Sequence, residues 1–172
     1  MIETTRFLLK PLTYTQLVKY AKCDNSLEQE LGLKSSDRTI SDELQEALQQ
    51  TIMPNVADSR KNYLYSTLWT AILKAEKQMV ADLCIIGEPN QNGEIEIGYG
   101  TYQHFQGNGF MTEIVAGIVS WAKTQPQVKA VVASTNKTNI ASFKVLQKNN
   151  FLKINETEST LQWKLDLTPS QN

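Results

Sequence analysis

One histidine and two cysteines are all that this 172-residue chain offers a transition metal. His104, Cys23 and Cys84 lie far apart and show no paired ligand spacing, so no metal is expected. Isolated thiols in a chain read as cytoplasmic are expected to stay reduced. No apolar run is long enough to span a bilayer, and MIETTRFLLKPL lacks the charged start and small-residue cleavage site of a secretory signal. Neither sign of charge dominates. Seventeen Lys and Arg face eighteen Asp and Glu, for a net charge of −1 and a pI of about 5.9. That balance argues against binding nucleic acid or an anionic membrane. No repeat or low-complexity linker divides the chain. The expectation is a soluble cytoplasmic protein with one domain over residues 1–167 and a flexible tail at 168–172.

What is present has an ordinary globular balance, 41% apolar and 20% charged, sufficient for a core without disulfides. RFLLKPL reads as a strand stopped by Pro11. Thr13 and Gln16 form a capping box for a helix carrying Leu17, Val18, Tyr20 and Ala21, and Ser26 with Gln29 repeats the signal. Leu44, Leu48 and Ile52 recur at four-residue spacing in a helix from Thr39 to Met53, ended by Pro54. YLYSTLWTAILK, QMVADLCIIG and GEIEIGYGTY then predict an antiparallel meander, the second gap (EPNQNG) carrying an Asn-Gly turn signal. A helix from about Gly109 to Lys123, the apolar strand VKAVVAST, a helix from about Asn139 to Asn149, and strands FLKI and TLQWKLDL complete an α/β chain. Trp69, Trp121 and Trp163 fall on apolar faces and read as packing residues.

Glycine is scarce, eight in all, yet Gly107 and Gly109 sit one residue apart where a helix begins. Ser, Thr or Asp would normally cap that end. A strand, a glycine loop and a helix start together form a general anion site, because the first helix amides lack partners and the dipole favours negative charge. The plain alternative is a tight turn. A P-loop would need Gly-Lys-Ser/Thr, but Phe110 and Met111 follow Gly109. A dinucleotide fold would need a third glycine, where Thr112 stands, and a carboxylate near Val128–Ser134, where there is none.

The remaining pattern, Gln106-Gly107-Asn108-Gly109-Phe110-Met111 after EIEIGYG, resembles the GNAT superfamily of acyl-CoA-dependent N-acetyltransferases. The family signature is Gln/Arg-x-x-Gly-x-Gly/Ala. TTRFLLKPLT is similar to the family opening TERLxLRPLT, and STNKTNIASFKVLQKNNF to the later TxxxNxASxxVLEKxGF. Those details point to the branch of ribosomal-protein N-terminal acetyltransferases (RimJ/RimL-like) and their small-molecule relatives. Three departures stand out: Met111 replaces a small residue, Asn150 replaces the glycine before Phe151, and Leu146 stands where some members place a tyrosine acid. Asn is the residue that best tolerates a left-handed helix end after glycine.

The resemblance implies a single α/β (α+β) domain whose mixed, mostly antiparallel sheet of about seven strands splays between the fourth and fifth, flanked by helices. It implies acetyl-CoA as cosubstrate, no metal, and direct transfer of acetyl to a primary amine in a ternary complex. The amine would be a protein N-terminus or a small molecule, and the protein a monomer or homodimer. Main-chain groups of Ile97, Gly98 and Tyr99 would face the thioester arm, and Gln106, Gly107, Asn108, Gly109, Phe110, Met111 and Thr112 would form the pyrophosphate loop. Asn139 and Ser142 would touch the CoA arm or brace the splayed strands, the alternative being the first turn of a helix bonding its own backbone, above all at Asn139. A lysine amine with pKa about 10.4 is almost wholly charged at neutral pH, whereas an α-amine at about 7.7 to 8.0 is partly neutral. A carboxylate acting through water can assist, and Glu96 and Glu94 share one strand face, Glu96 being preferred. His104 reads as a solvent-exposed loop residue and Cys84 as a small buried hydrophobe. The alternative function is a non-catalytic acyl-CoA-binding regulatory domain.

Overall fold

The computed structural model describes residues 1–167. The flexible tail expected at 168–172 lies outside the described residues. Chain order is β1 (Ile2–Glu3), β2 (Phe7–Pro11), α1 (Tyr14–Lys22), α2 (Ser26–Leu31), α3 (Asp42–Ala47), α4 (Met53–Ala57), β3 (Leu68–Leu73), β4 (Gln78–Ile85), β5 (Glu94–Thr101), α5 (Phe110–Lys123), β6 (Ala130–Asn136), α6 (Ile140–Lys148), β7 (Leu152–Glu156) and β8 (Thr160–Asp166). The strands form one eight-stranded sheet in the order β1-β2-β3-β4-β5-β6-β8-β7. All pairings are antiparallel except β5 with β6. The strand beyond the expected seven is β1, whose two residues pair with β2 and are too short to carry any periodicity.

Each face of the sheet carries its own core. Trp69, Leu83, Ile95 and Ile97 pack under α5, where Ile114, Val115 and Ile118 are buried. Gly117 lets α5 lie close to the sheet, since a Cβ there would stand 2.8 Å from Thr4 Cγ2 and 3.0 Å from Leu9 Cδ1. On the opposite face Leu17 and Tyr20 of α1, Leu27 of α2, and Leu48 and Ile52 cover Leu68, Ile72 and Met79. The expected capping box of α1 is present, with Gln16 N–H donating to Thr13 Oγ1 and Thr13 N–H to Gln16 Oε1.

Local expectations are corrected in three places. Helix α2 is capped by Asn25 in the left-handed conformation, with Ser26 as its first residue. Tyr63–Tyr65 make a tight helical turn before the strand proper, so β3 starts only at Leu68. Pro54 does not end the helix that precedes it. A π-helical stretch over Leu48–Ile52, in which Met53 N–H reaches back to Leu48 O, widens the turn before the chain continues through Pro54 into α4. Proline lacks an N–H and its ring clashes with the carbonyl four residues back in a regular α-helix, and a widened turn relieves that crowding.

Candidate active site

The parallel pairing of β5 with β6 runs from Glu94↔Ala130 to Ile97↔Ala133 and stops there. Beyond it β6 continues against β8 to Asn136, while Gly98–Thr101 of β5 stay registered only with β4. The sheet therefore opens between β5 and β6, which are the fourth and fifth of the seven strands expected from sequence. Tyr99 bridges the opening with its side chain. Its hydroxyl donates to Ser142 O at 3.0 Å and lies 3.3 Å from Ser142 Oγ.

A first cleft of about 480 Å³ occupies this opening. Tyr99, Gly100 and Thr101 form one wall, and Gln106, Gly107 and Gly109 form the lip. Met111 and Thr112 of α5 and Asn139 and Ser142 at the start of α6 complete it. Gly107 and Gly109 have φ of +79° and +68°, and Gly109 caps α5 without any side-chain bond. A Cβ on either glycine would meet no atom within 4 Å. The backbone conformation, and not protein packing, is what demands glycine here, and the space beside it is open to a ligand. Asn108 Nδ2 donates to the carbonyls of Phe105 and Gln106, pinning the loop. Phe110 points away from the cleft and packs edge-on against Phe7, ring centroids 5.2 Å apart.

Two further side chains hold the α5 end in place. Glu113 accepts from Thr4 Oγ1, Arg6 N–H and Arg6 Nε, and Asn149 Nδ2 donates to Thr112 O, fixing α6 beside α5. Asn139 Oδ1 accepts from Ser142 N–H as the cap of α6, so both residues serve the helix while lining the cleft. Asn150, at φ +64°, adopts the left-handed helix end that its position calls for. Leu146 is fully buried. Lys144 and Lys148, which sequence reading missed, line the same cleft, and neither has an ion-pair partner among the described residues. Their i, i+4 spacing on one helix face was the available signal.

A second cleft of about 580 Å³ lies on the opposite side of the sheet, beneath α1 and the segment between α2 and α3. It shares Tyr99, Gly100, Thr101 and Gln106 with the first, so the unpaired stretch of β5 is a common wall. Its floor holds Asp82 of β4, missed from sequence although it is a lone carboxylate inside the apolar run MVADLCI. Asp82 Oδ2 accepts from Tyr20 Oη at 2.6 Å and Tyr102 Oη at 2.9 Å, and Oδ1 is buried without a partner. Burial raises the Asp82 pKa, opposed by the two tyrosine hydroxyls and by Arg38. The same burial, reinforced by the Asp82 charge, pushes both tyrosines upward. Arg38 bonds to the equally buried Glu28 and donates through Nη2 to Tyr20 O at 2.8 Å. Asp37 and Glu43 also line this cleft, so its carboxylates outnumber a single arginine that is already paired.

The remaining sequence-derived residues sit around these clefts. Ile97 is buried in the core, and Gly98 lines the second cleft beside Cys84. Burial pushes the Cys84 thiol up to about 11, the state of an inert thiol. Glu94 is engaged by Lys164 at 2.9 Å and Asn90 at 3.0 Å, bonds that lower its pKa. Glu96 is registered opposite Val132 on the strand face of Gly98, but it lines neither cleft. His104 is exposed. Among the described residues there is no cluster of three potential metal ligands, and no helix is long and apolar enough to cross a membrane.

A family model described as an acetyltransferase (GNAT) domain matches residues 6–152. The chain is 24% identical over 166 residues to an uncharacterized N-acetyltransferase, YjdG, of Bacillus subtilis, covering 95% of this chain and 96% of that protein. Among solved structures it resembles RimL, a ribosomal L7/L12 α-N-protein acetyltransferase in complex with coenzyme A, with a TM-score of 0.66 at 15% identity over 95% of each chain. Spermidine N-acetyltransferase of Vibrio cholerae, with CoA and spermine, gives a TM-score of 0.66 at 11% identity over 95% of this chain and 97% of that one. At such identities the structural likeness speaks for the fold alone.

Proposed function

The chain belongs to the GNAT family of acetyltransferases, and from that premise we propose that it is an acetyl-CoA-dependent N-acetyltransferase acting on a primary amine. One observation carries the reading: two clefts on opposite sides of the sheet share the main chain of Tyr99–Thr101 as their wall. Two reactants held on either side of that wall meet without a covalent enzyme intermediate, and such proximity is worth several kcal/mol.

The residues of the first cleft fit CoA. The open glycine loop at the α5 start and the cations of Lys144 and Lys148 suit its phosphates, and Gly100 leaves the β5 edge free for the pantetheine arm. Bound there, acetyl-CoA supplies an activated thioester. The Tyr99 and Thr101 N–H groups, which face away from β4, supply donors for the charge that develops on the carbonyl oxygen. The acceptor amine occupies the second cleft. Its proton passes to water or to a carboxylate, for which Glu96 and Glu94 are the strand candidates. RimL modifies a ribosomal-protein N-terminus and the Vibrio cholerae relative acts on spermidine, so both amine classes are acceptors to test.

Thiol release from acetyl-CoA should be accelerated by a primary amine and yield the acetylated amine by mass spectrometry. CoA binding with no turnover of any amine would instead favour a regulatory acyl-CoA-binding domain, and no CoA binding would sink both readings.

A further inference from the structure

Asp82 is the one carboxylate buried at the floor of the second cleft, and nothing in the structural role of β4 explains it. Cys84 and Asp82 share a strand face otherwise covered by apolar residues of α1 and β3. Burying a carboxylate there costs stability, which the two tyrosine bonds to Oδ2 offset only in part since Oδ1 has no partner. Both tyrosine hydroxyls converge on Oδ2 alone, and Oδ1 is buried and left without a partner. Both tyrosines line the cleft, but Tyr20 is only 1% exposed whereas Tyr102 is half-buried and the more open of the two to a ligand. A hydroxyl that donates to a carboxylate keeps a lone pair free to accept from a third group. Asp82 is also registered directly opposite Gly100, which belongs to the wall common to both clefts.

We propose that Asp82 receives the charge and the proton of the acceptor amine, relayed by the hydroxyl of Tyr102. The proposal rests on the acetyltransferase reading above. In the step, one N–H bond of the alkylammonium breaks and its proton adds to Tyr102 Oη, while the Tyr102 O–H proton passes to Asp82 Oδ2. The amine is left neutral, with a free lone pair. Transfer then forms the C–N bond and breaks the C–S bond, the electron pair leaving with sulfur, which takes the second amine proton through water. Asp82 returns its proton to solvent by the same hydroxyl. The overall reaction converts ammonium and thioester to amide, thiol and one released proton.

The surroundings favour a cation. Against Asp82 stand Tyr20 from α1, Arg38 from the segment before α3, Thr70 from β3, Cys84 from β4 and Tyr102 after β5, and the exposed Asp37 and Glu43 line the same cleft. Arg38 is committed to Glu28, leaving Asp37 and Glu43 to add negative potential at the cleft. Neither Glu96 nor Glu94 reaches this cleft.

The test uses wild type, Asp82→Asn, Tyr102→Phe and Glu96→Gln with three probes: an Ala-initiated tetrapeptide, a Ser-initiated tetrapeptide and spermidine. Turnover is followed from pH 6 to 9.5, and amine binding to the CoA-loaded protein is read in parallel by NMR. Asp82→Asn and Tyr102→Phe should each lower turnover at neutral pH by about 10²–10⁴-fold, with the loss shrinking as pH rises. Their CoA affinity should stay within about twofold of wild type. If the probes bind without turnover, weaker binding to Asp82→Asn supports the proposal. Unchanged binding or an unchanged pH profile in Asp82→Asn and Tyr102→Phe overturns it, as does an effect confined to Glu96→Gln or failure of every probe to bind. A wild type that does not bind CoA fails the acetyltransferase reading first, which separates the two. Tyr102→Phe keeps its ring, so the test survives if Asp82→Asn does not fold.

Discussion

Gly109 holds a left-handed backbone at the first cleft, and Asp82 a buried carboxylate at the second. At Gly109, φ is +68° and no atom lies within 4 Å of an added Cβ. Gly109→Ala should therefore cost only the left-handed strain of about 1–2 kcal/mol. For a domain of this size that lowers Tm by about 2–8 °C. Gly100→Ala, with no positive φ and the same open space, should leave Tm unchanged. Gly109→Ala should weaken CoA binding, read by calorimetry, because its methyl group enters the first cleft, whereas Gly100→Ala, whose methyl group shares the Asp82 face, should weaken amine binding more. Asp82 has its folded pKa raised by burial. The folded state thus holds its proton more tightly than the unfolded chain. That contribution is fully present below the ordinary aspartate pKa of about 3.9 and is lost as pH rises through the folded value. Urea denaturation should show the stability of Asp82→Asn rising relative to wild type from pH 4 to pH 8. A constant difference would mean that Asp82 titrates normally.

Among the elements, α6 contributes most to the cleft by its exposed face. Lys144 and Lys148 stand one turn apart over the first cleft, without partners among the described residues. Exposed charges are worth about 0.2–1 kcal/mol each, so Lys144→Ala with Lys148→Ala should weaken CoA binding by about two- to thirtyfold at low ionic strength. At 1 M salt, where the screening length is about 3 Å, the difference should largely vanish. A loss independent of salt would place these lysines outside the phosphate site. The same scale explains what was legible in sequence. The capping box of α1, the meander β3-β4-β5 and the glycine start of α5 are written in contiguous residues, so local chemistry reveals them. Strand β1 and the widened turn before Pro54 were not, because two residues carry no period and a tertiary contact decides how a helix passes a proline. The first cleft was legible because one loop and two helix starts build most of it. The second was not, since Tyr20, Arg38, Asp82 and Tyr102 are brought together only by the sheet and by α1 lying across it.

At the scale of the whole molecule, the sheet is two blocks joined by one short seam. Strands β1 to β5 form one block and β6, β8 and β7 the other, and only Glu94–Ile97 against Ala130–Ala133 pair across the boundary. Above the seam the blocks are linked by the Tyr99 hydroxyl to Ser142 and by the packing of α5 and α6. A ligand seated in the opening would touch both sides, bonding the β5 edge and the start of α6 at once. It should therefore act as a cross-brace as well as a bound mass. CoA at a hundred times its Kd should add about 2.7 kcal/mol to the folded state. For a chain of this length that raises Tm by about 5–11 °C. ATP and NAD at the same concentration should do much less, since neither has an arm to run along β5. Hydrogen exchange locates the brace. Amides of Tyr99 and Thr101, which face away from β4, should exchange fast in the free protein and slow on adding CoA, while those of β2 and β3, already paired on both edges, should change little. Slowing spread evenly over the sheet would mean that CoA stabilises the protein without entering the opening between β5 and β6.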